Sequence, residues 1–109
     1  MNDIDRQIIA ELKKRIPEDI RYHIKKLILF GSRARGDAGE DSDLDIIALV
    51  DEKNSEIENK LGDAAYSVMW DNDFRPVISL KVFAESRFQN AVERGFSFYR
   101  NVDEEGVVL

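Results

Sequence analysis

Cysteine is absent from the 109-residue chain, which excludes disulfides, thiolate metal sites and a cysteine nucleophile together. Proline occurs twice and glycine six times, too rarely for a collagenous or low-complexity chain. Basic residues are the minority, sixteen Lys and Arg against twenty-two Asp and Glu, for a formal charge of −6. That balance argues against a nonspecific polyanion-binding surface, so no direct nucleic-acid partner is expected. No apolar run approaches the roughly 18 residues of a membrane span. The start Met1-Asn2-Asp3-Ile4-Asp5-Arg6 also lacks the basic and apolar segments of a signal peptide. A cytoplasmic location without membrane contact is the expectation.

What is present suits a folded domain: 43% of residues are hydrophobic and 35% charged. A chain of this length buries about two-thirds of its surface, enough for one core, so residues 1–109 are expected to form a single domain. Ile4, Ile8, Ile9, Leu12 and Ile16 recur at spacings of three and four, predicting an amphipathic helix over Asp3 to Ile16 that Pro17 ends. A short helical turn follows over Glu18 to His23. The apolar runs Lys26 to Phe30 and Leu44 to Val50 read as buried strands, and Val77 to Phe83 as a third. Between the second and third, Glu52 to Met69 places Ile57, Leu61, Ala64, Ala65 and Val68 on one helical face. Asn54 or Ser55 would cap this helix, with Glu58 completing a capping box from Ser55. Glu85 to Arg94 predicts a last helix ending at Gly95. The order of elements gives an α+β (α/β) domain, a short mixed sheet with helices packed against it.

Gly31 to Asp41 holds three of the six glycines and almost no apolar side chain, so it is loop or a polar helix end. Just beyond it, Asp43 and Asp45 are separated by one residue at the mouth of a strand. Both carboxylates therefore point to one face, with Cα atoms roughly 6 to 7 Å apart. Two like charges held that close call for a cation, and oxygen-only ligands suit Mg²⁺ or Mn²⁺. Gly31-Ser32 sits where a buried strand turns into a polar segment, a place where free backbone N–H groups and a short hydroxyl hold phosphate. Arg33 and Arg35 flank that loop and are candidates to neutralise a triphosphate, with ion-paired or solvated side chains as the alternative.

Gly-Ser, ten residues, then Asp-x-Asp between two strands resembles the signature of the DNA polymerase β-like nucleotidyltransferase superfamily. The fuller Gly31-Ser32-Arg33-Ala34-Arg35-Gly36 with Ser42-Asp43-Leu44-Asp45 is similar to its minimal nucleotidyltransferase branch of antitoxin type. At average residue frequencies the four fixed positions would meet by chance in on the order of one chain in a thousand of this length. The resemblance implies a nucleotidyltransferase fold in which Gly31 and Ser32 hold the nucleotide phosphates while Asp43 and Asp45 are catalytic and hold Mg²⁺; Arg33, Arg35 and Ser42 are further candidates for nucleotide binding. It further implies transfer of a nucleoside monophosphate, AMP from ATP, onto an acceptor hydroxyl with release of pyrophosphate. A small helical HEPN-type toxin is the partner it suggests, with a homodimer as a further option.

The sequence departs from that pattern at one point. Active members place a third acid on a strand neighbouring the pair, whereas the third strand here carries Ser79 and Lys81 between its apolar residues. Asp51, Asp71 and Asp73 lie off that strand. A second reading follows from the departure: a catalytically weakened nucleotide-binding antitoxin or partner-binding module that uses an apolar face around Phe96, Phe98 and Tyr99. These three aromatics are expected in the core or facing a partner rather than stacking on a base. Asp103-Glu104-Glu105 reads as a solvated acidic turn, and His23 as surface or structural.

Overall fold

The computed structural model describes residues 1–36, 39 and 42–109. Positions 37, 38, 40 and 41, part of the expected polar loop, lie outside the described residues. Helix α1 (Asp3–Arg15) starts at Asn2, whose side chain accepts the Asp5 N–H at 2.8 Å. Its inward face is Asp5, Ile8, Ile9 and Leu12. Ile4, expected on that face, is exposed instead. The buried position at the start of the helix belongs to an acid.

Helix α2 (Glu18–Arg21) leads into strand β1 (Ile24–Phe30), which begins two residues earlier than the apolar run suggests and is irregular between Ile24 and Lys26. Helix α3 (Ser32–Arg35) is a single turn, followed by strand β2 (Leu44–Val50) and helix α4 (Ser55–Asp71). Asn54 caps α4 by accepting the Ile57 N–H at 2.9 Å. The alternative cap at Ser55, with its Glu58 box, is not used, because Ser55 already lies inside the helix. Strand β3 (Ile78–Ala84), helices α5 (Glu85–Glu93) and α6 (Ser97–Glu105), and strand β4 (Val107–Val108) complete the chain. The sequence reading held no α6 or β4, and the supposed acidic turn at residues 103–105 is the last turn of α6.

The sheet runs β3-β2-β1-β4. Strands β2 and β3 are parallel, joined by α4 as a crossover, while β1 is antiparallel to both β2 and β4. Alternation along the strands splits the core in two. Leu44, Ile46, Ala48 and Val50 of β2 face α1 and α4 and meet Ile9, Leu12, Leu61 and Val68. Ile47 and Leu49 face the other way, onto Phe88 of α5 and Val102 of α6. Because β2 is covered on both faces, it reads as a continuous apolar run broken only by Asp45. The same alternation puts Asp45 on the α5/α6 side, at the open end of the sheet.

Strand β4 reaches β1 through Gly106. A Cβ there would lie 2.5 Å from Ile28 Cγ2 and 2.5 Å from the Val102 carbonyl oxygen, so α6 passes into the strand with no room for a side chain. Gly106→Ala is expected to destabilise the fold by about 2 kcal/mol through overpacking, read as a lower midpoint in denaturant unfolding. An unchanged midpoint would mean that the β1–β4 junction adapts freely.

Candidate active site

At the open end of β2 the antiparallel register pairs Phe30 with Asp45. The residue after Phe30 is therefore brought beside the Asp45 carboxylate. Gly31 adopts φ 77°, a conformation that side chains disfavour, and a Cβ built on it would stand 2.6 Å from Asp45 Oδ2. Two separate constraints thus require glycine at this place. Asp43 is exposed and Asp45 half-buried, two residues apart on the same strand edge. Burial and, after it, the charge of Asp43 push the Asp45 carboxyl above its ordinary pKa, while Lys81 pulls in the opposite direction.

The parallel register with β3 puts Ser79 opposite Asp45 and Lys81 opposite Ile47. Ser79 and Lys81 share the face on which Asp45 lies, and the Lys81 ammonium is 5.8 Å from the centre of the Phe30 ring. A cation accordingly neighbours the acids on the strand where the resemblance calls for a third carboxylate. Among the described residues no group of three His, Cys, Asp or Glu side chains converges. Asp51 is at the far end of β2, bonded to His23 Nδ1 at 2.9 Å, which holds its carboxyl below the ordinary range. Asp71 pairs with Arg15 at 2.7 Å.

Arg33 requires a correction. It was expected among the nucleotide contacts, but its side chain is only 7% exposed and is bound inward. Nη1 donates to Asp5 Oδ1 at 2.7 Å, while Nε and Nη2 donate to the Ser42 carbonyl at 3.0 and 2.7 Å. The guanidinium joins α1, α3 and the entrance of β2, a structural use that leaves it facing away from a phosphate. Ser42 is held in the same turn, its Oγ accepting the Gly39 N–H at 3.1 Å. Its clearest role is to anchor Arg33 through its carbonyl. The buried acid Asp5 escaped the sequence reading, although its spacing to Ile8, Ile9 and Leu12 is that of an inward face. Gly31, Ser32 and Arg35 remain at the outer side of the loop, with Ser32 half-buried and Arg35 exposed.

Of the C-terminal aromatics, Tyr99 joins Phe83 and Phe88 in the core and Phe96 is exposed. Phe98 packs against Tyr99 at 5.2 Å, Phe30 at 5.8 Å and Phe83 at 6.5 Å, and also lines a cavity that Gly31 borders.

Comparison with known proteins identifies the family and the fold. The model of the nucleotidyltransferase domain family matches residues 6–104. A protein of Methanocaldococcus jannaschii named "Putative protein adenylyltransferase MJ0604" is 34% identical over 111 residues, covering 96% of this chain and 97% of that protein. A second from the same organism, "Putative protein adenylyltransferase MJ0141", is 37% identical over 84 residues, covering 73% and 84%. The fold is similar to a solved structure described as "Crystal structure of the toxin-antitoxin with AMP-PNP", with a TM-score of 0.54, 20% identity, and coverage of 95% of this chain and 70% of that one.

Two predictions follow from the geometry. Removing Asp5 takes the carboxylate from the buried Arg33 Nη1, so Asp5→Ala is expected to cost about 3 kcal/mol of unfolding free energy, and adding Arg33→Met should recover part of it. A loss below about 1 kcal/mol would show the clamp to be dispensable. For Asp45 the folded pKa lies above the unfolded one, so its ionisation opposes folding, and stability is lost as pH rises through the carboxylate range. Asp45→Asn should therefore melt above the wild type at neutral pH without metal, the gap closing as the pH falls to the ordinary Asp range. A variant that melts lower at neutral pH would contradict this.

Proposed function

Because the chain belongs to the nucleotidyltransferase domain family, we propose that it transfers AMP from ATP to a hydroxyl group on a partner protein, with Mg²⁺ held by Asp43 and Asp45. The observation that carries this reading is the seat of the Asp45 carboxylate against Gly31. A loop of the kind that receives phosphate and a pair of metal-type acids are built as one unit. The donor set fits the metal: two oxygen ligands suffice for an ion that completes its shell with water and substrate phosphates. Mn²⁺ would be accepted by the same ligands. When bound, the ion would supply charge neutralisation and Lewis acidity at the triphosphate.

The chain's own residues do the rest. Gly31 and Ser32 offer backbone and hydroxyl groups to the phosphates, and Arg35, which borders the same cavity as Gly31, adds positive charge. In the transfer, the acceptor oxygen forms a bond to the α-phosphorus as the bond from that phosphorus to the oxygen bridging the α- and β-phosphates breaks. Pyrophosphate leaves with that electron pair, and the acceptor proton passes to solvent.

The acceptor is proposed to come from another chain, a small helical toxin of HEPN type, with a second copy of this chain as the further option. The adenylyltransferase names of the relatives and the toxin–antitoxin neighbour with its adenine nucleotide analogue motivate this choice. Ser79 and Lys81 in place of a third acid favour a second reading, a nucleotide-binding antitoxin with weakened catalysis.

Incubation with Mg²⁺ and α-³²P-labelled nucleoside triphosphates, with and without a helical partner, separates the two. Transfer predicts label on protein and pyrophosphate release, both falling at least 100-fold in Asp43→Asn/Asp45→Asn. Metal-dependent nucleotide binding without either signal would replace the first reading by the second.

A further inference from the structure

Between the end of β1 and helix α6 lies a cavity of about 240 Å³, several times the roughly 30 Å³ share of a water molecule. Phe30, Phe98 and Val102 supply its apolar surface, and Asn101 and Glu105 its polar edge. Gly31 is one of its lining residues, so it adjoins the proposed phosphate seat. Phe98 packs against Phe30, Phe83 and Tyr99 yet keeps 39% of its surface exposed. Part of the ring is therefore left for a further contact.

We propose that this cavity is the nucleoside slot of the nucleotide site, taking adenine against Phe98 with Asn101 at the base edge and the ribose beside Glu105. The inference rests on the nucleotidyltransferase reading and specifies its substrate. The order of the contacts comes from the backbone. Val107 pairs with Leu29, so Glu105, two residues earlier, lies at the Gly31 end of α6. Asn101 follows one helical turn further on and Phe98 nearly one turn beyond that. A nucleotide with its phosphates at Gly31 would meet these groups in its own chemical order, ribose before base.

The side chains suit those parts. A carboxylate accepts hydrogen bonds from ribose hydroxyls. A carboxamide donates and accepts at once, matching the amino donor and ring-nitrogen acceptor that adenine presents side by side. The aromatic ring supplies the face on which a base stacks. Neither Asn101 nor Glu105 is committed elsewhere: no hydrogen bond or ion pair engages either side chain among the described residues.

Titration calorimetry with Mg²⁺ and ATP, GTP, 2′-deoxyATP or inorganic tripolyphosphate tests the slot. Tripolyphosphate has no nucleoside and reports on the phosphate seat alone. Asn101→Leu, at an exposed position, should weaken ATP about ten-fold while leaving tripolyphosphate unchanged, and the wild type should prefer ATP to GTP. Wild type should bind 2′-deoxyATP several-fold more weakly than ATP, and Glu105→Gln should shrink that difference. If tripolyphosphate binds but ATP is no tighter, or if Asn101→Leu leaves ATP untouched, the slot is refuted and the phosphate seat stands. Should neither ligand bind in an Asp43- and Asp45-dependent way, the nucleotidyltransferase reading itself fails. Thermal melts of each variant keep loss of fold apart from loss of binding.

Discussion

The site depends on a buried arginine that never reaches it. Arg33 is placed by the single turn of α3, and its guanidinium reaches Asp5 near the start of α1 and the Ser42 carbonyl before β2. Three chain segments, one of them 28 residues away in sequence, are fixed to one planar group. Arginine suits this use because its donors lie in a rigid fork and its charge does not titrate away. With Ser42 pinned, Asp43 and Asp45 enter the strand at a set height. With α3 pinned, Gly31 sits where Asp45 arrives. The clamp therefore sets the relation between the proposed phosphate loop and the acid pair, a relation that neither could hold alone across the polar segment joining them.

The acids in turn strain the fold that carries them. Asp45 interrupts a central strand otherwise filled with buried apolar residues. It is partly withdrawn from water beside a second carboxylate, which raises its pKa. A structure selected only for stability would place an apolar side chain here. Lys81 eases the strain from β3 and supplies a positive charge where the resemblance calls for a negative one. The expected departure at the third strand is thus a change of sign in the site's electrostatics, and it bears on whether transfer or binding is the principal outcome.

Elements with periodic signals were legible in the sequence. The bounds of β2 follow from seven residues with one polar interruption, and α4 from five apolar residues at helical spacing. The close approach of Gly31 to Asp45 was half legible. The glycine and acid stood out by type and spacing, but their contact arises from strand register. For Arg33 an ion pair was one of two readings, but its burial and its partner were not legible, because Asp5 comes from α1, 28 residues away in sequence. Helix α6 was missed because Phe96, Phe98 and Tyr99 suggest a patch and the three acids a turn. Its stability comes from packing Tyr99 and Val102 against the sheet, a tertiary effect that local composition does not reveal.

The division of labour along the chain has a physical consequence. Every residue proposed for phosphate and metal lies between Gly31 and Asp45, held by the β1–β2 pairing and the Arg33 clamp. Every polar residue proposed for the nucleoside lies on α6, which reaches the sheet by way of Gly106 and a two-residue strand. The first group sits at the ends of the two central strands, and the second on a late element with a narrow attachment. Substitutions on the exposed face of α6 can therefore change which nucleotide is preferred while leaving the acids and the glycine where they are. Changes at Gly31 have no such freedom, because a side chain there would collide with the Asp45 carboxylate.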